Sequence, residues 1–96
     1  MNKQQAIQTL SNSKAMLHKR FGVTRLALFG STARDTATAR SDIDILVSFD
    51  GAATSQRYFG VQFYLEDLLG CSVDLVTEKA LRAELRPYFE REAIDA

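Results

Sequence analysis

Two aspartates and a Gly-Ser pair stand at a spacing that suits phosphate chemistry. Gly30 and Ser31 follow an apolar run, and ten residues later Asp42 and Asp44 open a second apolar run. Side chains alternate between the two faces of a β-strand, so we expect Asp42 and Asp44 to point the same way. Two such carboxylates repel each other unless a cation lies between them, and Mg²⁺ binds carboxylate and phosphate oxygens. The spacing predicts a metal-dependent site for phosphoryl or nucleotidyl transfer.

A third carboxylate stands in another short apolar run. Asp74 lies within residues 71–77, which have the composition of a strand. If this strand lies beside the Asp42 strand, Asp74 could complete the metal site. It could also orient or deprotonate the attacking hydroxyl.

The Gly-Ser pair is placed to hold a phosphate. Residues 23–29 read as a buried strand that ends in a tight turn, and residues 31–35 read as a short helix. A helix start offers unpaired backbone N–H groups to an anion, and Gly30 lets a phosphate come close. Arg34 and Arg40 flank the turn, and Arg34 is the stronger candidate. Either guanidinium could bind a phosphate, pair with a site aspartate, or be solvated.

The remaining patterns supply the elements that position these residues. Apolar residues recur at helical spacing in residues 3–20 and in the stretch that ends at Leu69-Gly70. Thr77 could cap a helix that begins at Glu78, and Pro87 could begin a last helix that runs through Ile94. The predicted order is helix, strand, short helix, strand, helix, strand, helix. This order is an α/β fold, a small sheet flanked by helices.

Two aromatic residues fall on the outer side of the middle helix. Val61, Tyr64, Leu65, Leu68 and Leu69 form the stripe predicted to pack on the sheet. Phe59 and Phe63 lie on the other side of the helix, and we interpret them as a contact surface for a partner chain. The alternative is that the helix begins near Gly60 and that Phe59 turns inward.

Composition limits the other possibilities. The 96 residues suffice for one domain, residues 1–96, and 46% hydrophobic with 25% charged residues is ordinary for a globular protein. Twelve acidic residues balance twelve basic ones, so no charge excess favours nucleic acid or an acidic membrane. No signal peptide or long apolar span is present, and we expect a cytoplasmic protein. The single Cys71 is expected to be a small buried residue, and the single His18 is not expected to be catalytic.

The motif resembles that of a known superfamily. Gly-Ser-x-Ala-Arg at residues 30–34, followed by Ser-Asp-Ile-Asp-Ile-x-Val at 41–47, resembles the signature of polymerase-β-type nucleotidyltransferases. It is similar to their smallest branch, the minimal nucleotidyltransferase (MNT) antitoxins encoded beside HEPN-domain toxins. Many members have Gly where this chain has Asp35.

The resemblance implies a site and a fold. It implies a mixed sheet of three or four strands and two Mg²⁺ ions, with ATP as substrate. The residues that it implies are Asp42, Asp44 and Asp74 as catalytic metal ligands, and Gly30, Ser31, Arg34 and Ser41 for nucleotide binding.

The resemblance also implies the acceptor. It implies transfer of AMP to a tyrosine hydroxyl of a HEPN toxin, which silences the toxin. A homo- or hetero-oligomer is possible, and no direct binding of nucleic acid or membrane is expected. The alternative is a catalytically weak or inactive module that neutralises its partner by occlusion. A lone enzyme acting on a small-molecule hydroxyl ranks last, because so short a chain leaves no evident acceptor pocket.

Overall fold

A mixed four-stranded sheet forms the centre of the protein. The computed structural model describes residues 3–30, 42–81, 83–84 and 86–96. The strands are β1 (Val23–Phe29), β2 (Ile43–Phe49), β3 (Val73–Thr77) and β4 (Ile94–Asp95), and their order in the sheet is β3-β2-β1-β4. β2 runs parallel to β3, whereas β1 runs antiparallel to β2 and to β4. The predicted fold class, a small mixed sheet with helices, is confirmed.

Helices flank this sheet on both faces. In the described ranges they are α1 (Lys3–Phe21), α2 (Ser55–Leu69) and α3 (Arg86–Glu92), and a 3₁₀ turn spans Glu78–Ala80. The predicted end of α1 at Gly22 is confirmed, because the Gly22 N–H donates to a carbonyl of the last turn. None of the helices in these ranges combines the length and the apolar composition that crossing a membrane requires.

The main core lies between one face of the sheet and helices α1 and α2. Ile43, Ile45 and Val47 of β2 alternate onto this face and are buried, whereas Asp44 and Leu46 take the opposite face. The buried residues that α1 and α2 contribute to this core are Ala6, Leu10, Leu17, Val61, Leu65 and Leu69.

The opposite face of the sheet carries a smaller apolar cluster. Ala27, Phe29 and Leu46 are buried there, and Phe89 of α3 meets Phe29 edge to face with ring centroids 4.7 Å apart. Only the short α3 and the segment around Leu81 cover this face in the described part of the chain. Asp44 therefore lies on the more lightly covered face of the sheet.

Several predicted details are wrong at the carboxyl-terminal end. The helix predicted to begin at Glu78 is only a 3₁₀ helix of three residues, Glu78–Ala80, and the Thr77 side chain that precedes it makes no capping hydrogen bond. The last helix ends at Glu92 rather than Ile94, because Ile94 pairs with Leu28 of β1 as part of β4. The helix predicted over residues 31–35 lies outside the described residues.

Candidate active site

The register of the parallel strands brings two of the predicted acids together. Asp44 of β2 pairs with Asp74 of β3. Residues paired across neighbouring strands project to the same face of a sheet, so these two side chains are neighbours. Asp44 is half-buried and Asp74 is exposed. The predicted approach of the Asp74 strand to the Asp44 strand is therefore present in the structure.

The turn after β1 meets the same aspartate. Gly30 follows β1 directly and has φ +69°, a left-handed conformation that favours glycine. A Cβ atom at Gly30 would overlap Oδ2 of Asp44 and would lie 2.9 Å from its Cγ. Gly30 is thus required both for its backbone conformation and for the space that the Asp44 carboxylate occupies.

Asp42 lies directly before β2 and is exposed. The N–H of Ile43, the next residue, donates to the Ser72 carbonyl at 3.0 Å, so Asp42 is near the turn that leads into β3. Burial raises the pKa of the Cys71 thiol in this turn, and the Asp42 and Glu66 carboxylates raise it further. Within the described ranges, no three His, Cys, Asp or Glu side chains converge closely enough to form a complete metal-ligand group. The three-carboxylate metal site stays a prediction, to which the structure contributes the Asp44–Asp74 neighbours.

The chemistry of these side chains fits a hard divalent cation. Asp44 and Asp74 offer carboxylate oxygens from neighbouring strands, and Asp42 stands at the adjoining strand start. Mg²⁺ prefers such oxygen ligands and is commonly held by one or two carboxylates together with substrate phosphates. Gly30 adds no side chain beside the Asp44 carboxylate, which itself fills the space where a Cβ atom would lie.

Other predicted site residues lie outside the described part of the chain. These are Ser31, Arg34 and Ser41, together with Asp35 and Arg40. Their proposed contacts with a nucleotide stay predictions.

His18 and Cys71 have structural surroundings. Nδ1 of His18 lies 2.9 Å from the carbonyl oxygen of Val23, where the chain passes from α1 into β1. Cys71 is a free thiol that packs against the main core. Cys71 is half-buried rather than fully buried as predicted, and the prediction that His18 has no catalytic role stays a prediction.

An ionic network lies at the other end of the sheet from Asp44. Arg25 of β1 contacts Asp95 at 2.8 Å, Glu90 at 3.3 Å and Glu78 at 3.6 Å. Hydrogen bonds to Asp95 and Glu90 raise the pKa of its guanidinium. Arg86 contacts Glu78 at 3.3 Å. These ion pairs connect β1 with the 3₁₀ turn, α3 and β4, so we assign them to the fold rather than to the site.

The aromatic pair on α2 is exposed. Phe59 is 48% and Phe63 is 63% accessible, and their rings stack with centroids 6.1 Å apart. The helix begins at Ser55, so the alternative of a late start with Phe59 turned inward is wrong. Leu68, predicted to pack on the sheet, is 44% accessible.

One group of polar contacts was not anticipated from the sequence. Tyr58, Gln62 and Glu66 of α2 hydrogen-bond to the backbone of β3. Their spacing of four residues was a visible signal, because residues four apart share a helix face. Their partners are backbone atoms of a distant strand, which no side-chain pattern reveals.

The sequence of this chain is similar to a known protein family and to individual members of it. A family profile described as a nucleotidyltransferase domain matches residues 10–96. A Thermococcus cleftensis protein named protein adenylyltransferase MntA is 38% identical over 85 residues, which cover 88% of this chain and 86% of that protein.

Two solved structures share the fold. One, provisionally identified as a minimal nucleotidyltransferase, aligns with a TM-score of 0.83 and 36% identity, covering 98% of this chain and 95% of its own. The other belongs to a complex of tri-AMPylated Shewanella oneidensis HEPN toxin with MNT antitoxin. It aligns with a TM-score of 0.64 and 21% identity, covering 92% of this chain and 69% of its own. At that identity the second likeness shows the fold alone.

Proposed function

The chain belongs to the nucleotidyltransferase family, and on this premise we propose that it transfers AMP from ATP to a hydroxyl group of a partner protein. The observation that carries the proposal is the meeting of Gly30, Asp44 and Asp74 at one end of β1, β2 and β3. This arrangement sets a glycine turn against the Asp44 carboxylate, which has the Asp74 carboxylate as its neighbour. The relative named protein adenylyltransferase supports a protein as the acceptor.

The reaction joins the acceptor oxygen to the α-phosphorus of ATP and breaks the bond from that phosphorus to pyrophosphate. Asp42, Asp44 and Asp74 would hold Mg²⁺, which when bound neutralises negative charge on the phosphates. Asp74, the exposed member of the pair, is also placed to orient the acceptor hydroxyl or accept its proton.

The nucleotide is held by the turn after β1 in this proposal. The absence of a side chain at Gly30 lets a phosphate approach the backbone. Ser31, Arg34 and Ser41 supply further contacts to the nucleotide. Most of the rate enhancement then comes from positioning and from electrostatic stabilisation of the transferring group.

The partner that we propose is a HEPN-domain toxin, with a tyrosine as the acceptor, so that the chain acts as an antitoxin. A protein with this fold has been solved in complex with a HEPN toxin that carries AMP groups. The exposed pair Phe59 and Phe63 is the proposed docking surface, because stacked exposed aromatics are typical of interface anchors.

Labelled ATP tests the chemistry. Incubation of the purified chain with the HEPN protein encoded beside it should transfer label from ATP labelled at the α-phosphate. ATP labelled at the γ-phosphate should leave the toxin unlabelled, because pyrophosphate departs. Label from the γ-phosphate alone would show phosphorylation and would contradict the proposal.

A second candidate function is neutralisation by occlusion, which the exposed aromatic pair favours. An occluding module needs its contact surface but not its carboxylates. The variant Asp42→Asn/Asp44→Asn should lose toxin neutralisation if AMP transfer is required, and should retain it if binding suffices. Growth of cells that produce the toxin together with this variant separates the two functions.

A further inference from the structure

Strand β3 is an edge of the described sheet. It pairs with β2 on one side only, which leaves alternate backbone groups on its other side without a strand partner. The carbonyl of Ser72 faces β2, where it accepts from the Ile43 N–H. Because backbone direction alternates along a strand, Val73 and Leu75 turn their backbone groups toward the outer edge.

Three side chains of α2 cover this edge. Oε2 of Glu66 accepts from the Val73 N–H at 3.0 Å, and Nε2 of Gln62 donates to the Val73 carbonyl at 3.3 Å. The Tyr58 hydroxyl donates to the Leu75 carbonyl. Tyr58, Gln62 and Glu66 lie on one side of the helix and form what we call the edge ladder.

The edge ladder binds the two residues that flank Asp74. Asp74 lies beside Asp44, and like charges on neighbouring strands repel each other. Of the two strands, β3 lies at an edge of the described sheet, whereas β2 lies between two strands. The position of β3, and of Asp74 on it, therefore depends on the hydrogen bonds from the ladder as well as on the pairing with β2. Burial raises the pKa of Tyr58 and Asp74 raises it further, so the phenol keeps the proton that it donates.

We propose that Tyr58, Gln62 and Glu66 are positioning residues that hold Asp74 beside Asp44 for divalent-cation binding. This inference rests on the proposed function of the two carboxylates. The ladder residues touch neither nucleotide nor acceptor in this account and act only through the backbone of β3. Their loss should weaken cation binding and lower kcat while leaving KM for ATP nearly unchanged.

The binding of Mn²⁺ alone, followed by electron paramagnetic resonance, tests this role without any turnover. Tyr58→Phe combined with Gln62→Leu should weaken Mn²⁺ binding by about tenfold, the lower end of the effect of supporting groups on metal affinity. Gln56→Leu is the matched control, because Gln56 is an exposed glutamine of the same helix, and it should bind as the wild type does. Glu66→Leu should also weaken Mn²⁺ binding. Glu66→Gln keeps an acceptor oxygen and should bind Mn²⁺ as the wild type does.

Wild-type Mn²⁺ affinity in the double variant would overturn the proposal. If the double variant does not fold, Tyr58→Phe decides the question, since it removes a single hydroxyl. If the wild type itself binds no Mn²⁺, the proposed cation site fails, and amide hydrogen exchange of Asp74 then tests the ladder separately. Faster exchange in the ladder variants than in the Gln56→Leu control supports positioning, and unchanged exchange refutes it.

Discussion

At the scale of single residues, Asp44 is the centre of the site. The Gly30 turn touches its carboxylate on one side, and Asp74 lies beside it on the next strand. Two neighbouring carboxylates offer the oxygen ligands that suit a divalent cation, and a glycine turn against a carboxylate excludes any larger residue there. Asp44 is therefore the residue at which the proposed cation site and the proposed phosphate turn meet.

Gly30→Ala should abolish activity beyond its effect on stability. Gly70 is the matched control, because its φ of +71° is nearly that of Gly30 but a Cβ atom there would meet nothing within 4 Å. The left-handed conformation should lower the free energy of unfolding by about 1–2 kcal/mol in both variants, and the overlap with Asp44 should lower it further in Gly30→Ala. Only Gly30→Ala also drives a methyl group into Asp44.

Urea denaturation and AMP transfer measured on both alanine variants check this prediction. The Gly70→Ala variant should transfer AMP at close to the wild-type rate, and the Gly30→Ala variant should lose at least about 100-fold, the scale of misplacing reacting groups. Equal losses of activity in the two variants would show that the Asp44 contact is unimportant.

Cys71 should react slowly with alkylating reagents. Burial, aided by Asp42 and Glu66, raises the pKa of its thiol, so at pH 8 less of it is the reactive thiolate than in a free cysteine. Alkylation by iodoacetamide should be slower than that of the same cysteine in the urea-unfolded chain, and its pH profile should lie at higher pH. Asp42→Asn should accelerate alkylation of the folded protein by removing a nearby negative charge. A folded-state thiol that reacts faster than the unfolded one would refute this environment.

At the scale of elements, helix α2 has three sides with different roles. Its buried residues Val61 and Leu65 pack on the sheet, its polar edge ladder covers β3, and its aromatic pair faces outward. The Tyr58 ring meets Phe59 edge to face at 5.2 Å, so the ladder and the aromatic pair are in contact. A partner that docks on the aromatic pair would therefore lie next to the residues that support β3.

Phe63→Asp should weaken partner binding by at least about tenfold, because truncating an aromatic anchor commonly costs more than 1 kcal/mol. Tyr88→Asp is the matched control, since Tyr88 is 65% accessible and Phe63 is 63% accessible, but Tyr88 lies on α3. Calorimetric titration of the HEPN partner with each variant gives the comparison. A folded Phe63→Asp variant with undiminished affinity would exclude the aromatic pair as the docking surface.

The sequence predicts the elements well where a strong local pattern exists. Alternation in β2 correctly assigns Ile43 and Ile45 to the core, and Gly22 correctly marks the end of α1. Local patterns fail where long-range pairing decides the outcome. The sequence predicts that Ile94 ends a helix, but Ile94 pairs with Leu28 of β1 as part of a strand.

For the site as well, local sequence patterns predict some features, whereas long-range packing determines others. That Asp44 and Asp74 belong to strands is visible locally, but their register follows from packing of the whole sheet. The overlap of a Gly30 Cβ with Asp44 depends on how two strands cross, and so does the covering of β3 by α2. Neither could be derived from spacing along the chain.

At the scale of the whole molecule, the described helices are distributed unevenly over the sheet. α1 and α2 cover one face of the sheet, whereas the face that carries Asp44 and Asp74 is covered only by α3 and the Leu81 segment in the described part of the chain. Asp74 is exposed on this face. An exposed carboxylate suits the proposed acceptor on another protein, because a protein surface can reach it on docking.

Intact-protein mass spectrometry of the proposed HEPN partner tests the central claim most directly. The partner is incubated with this chain, ATP and Mg²⁺, beside the Asp42→Asn/Asp44→Asn variant as the control. We predict a mass gain of one or more AMP units that is absent with the variant. An unchanged mass in a stable complex would contradict AMP transfer and would leave occlusion as the function.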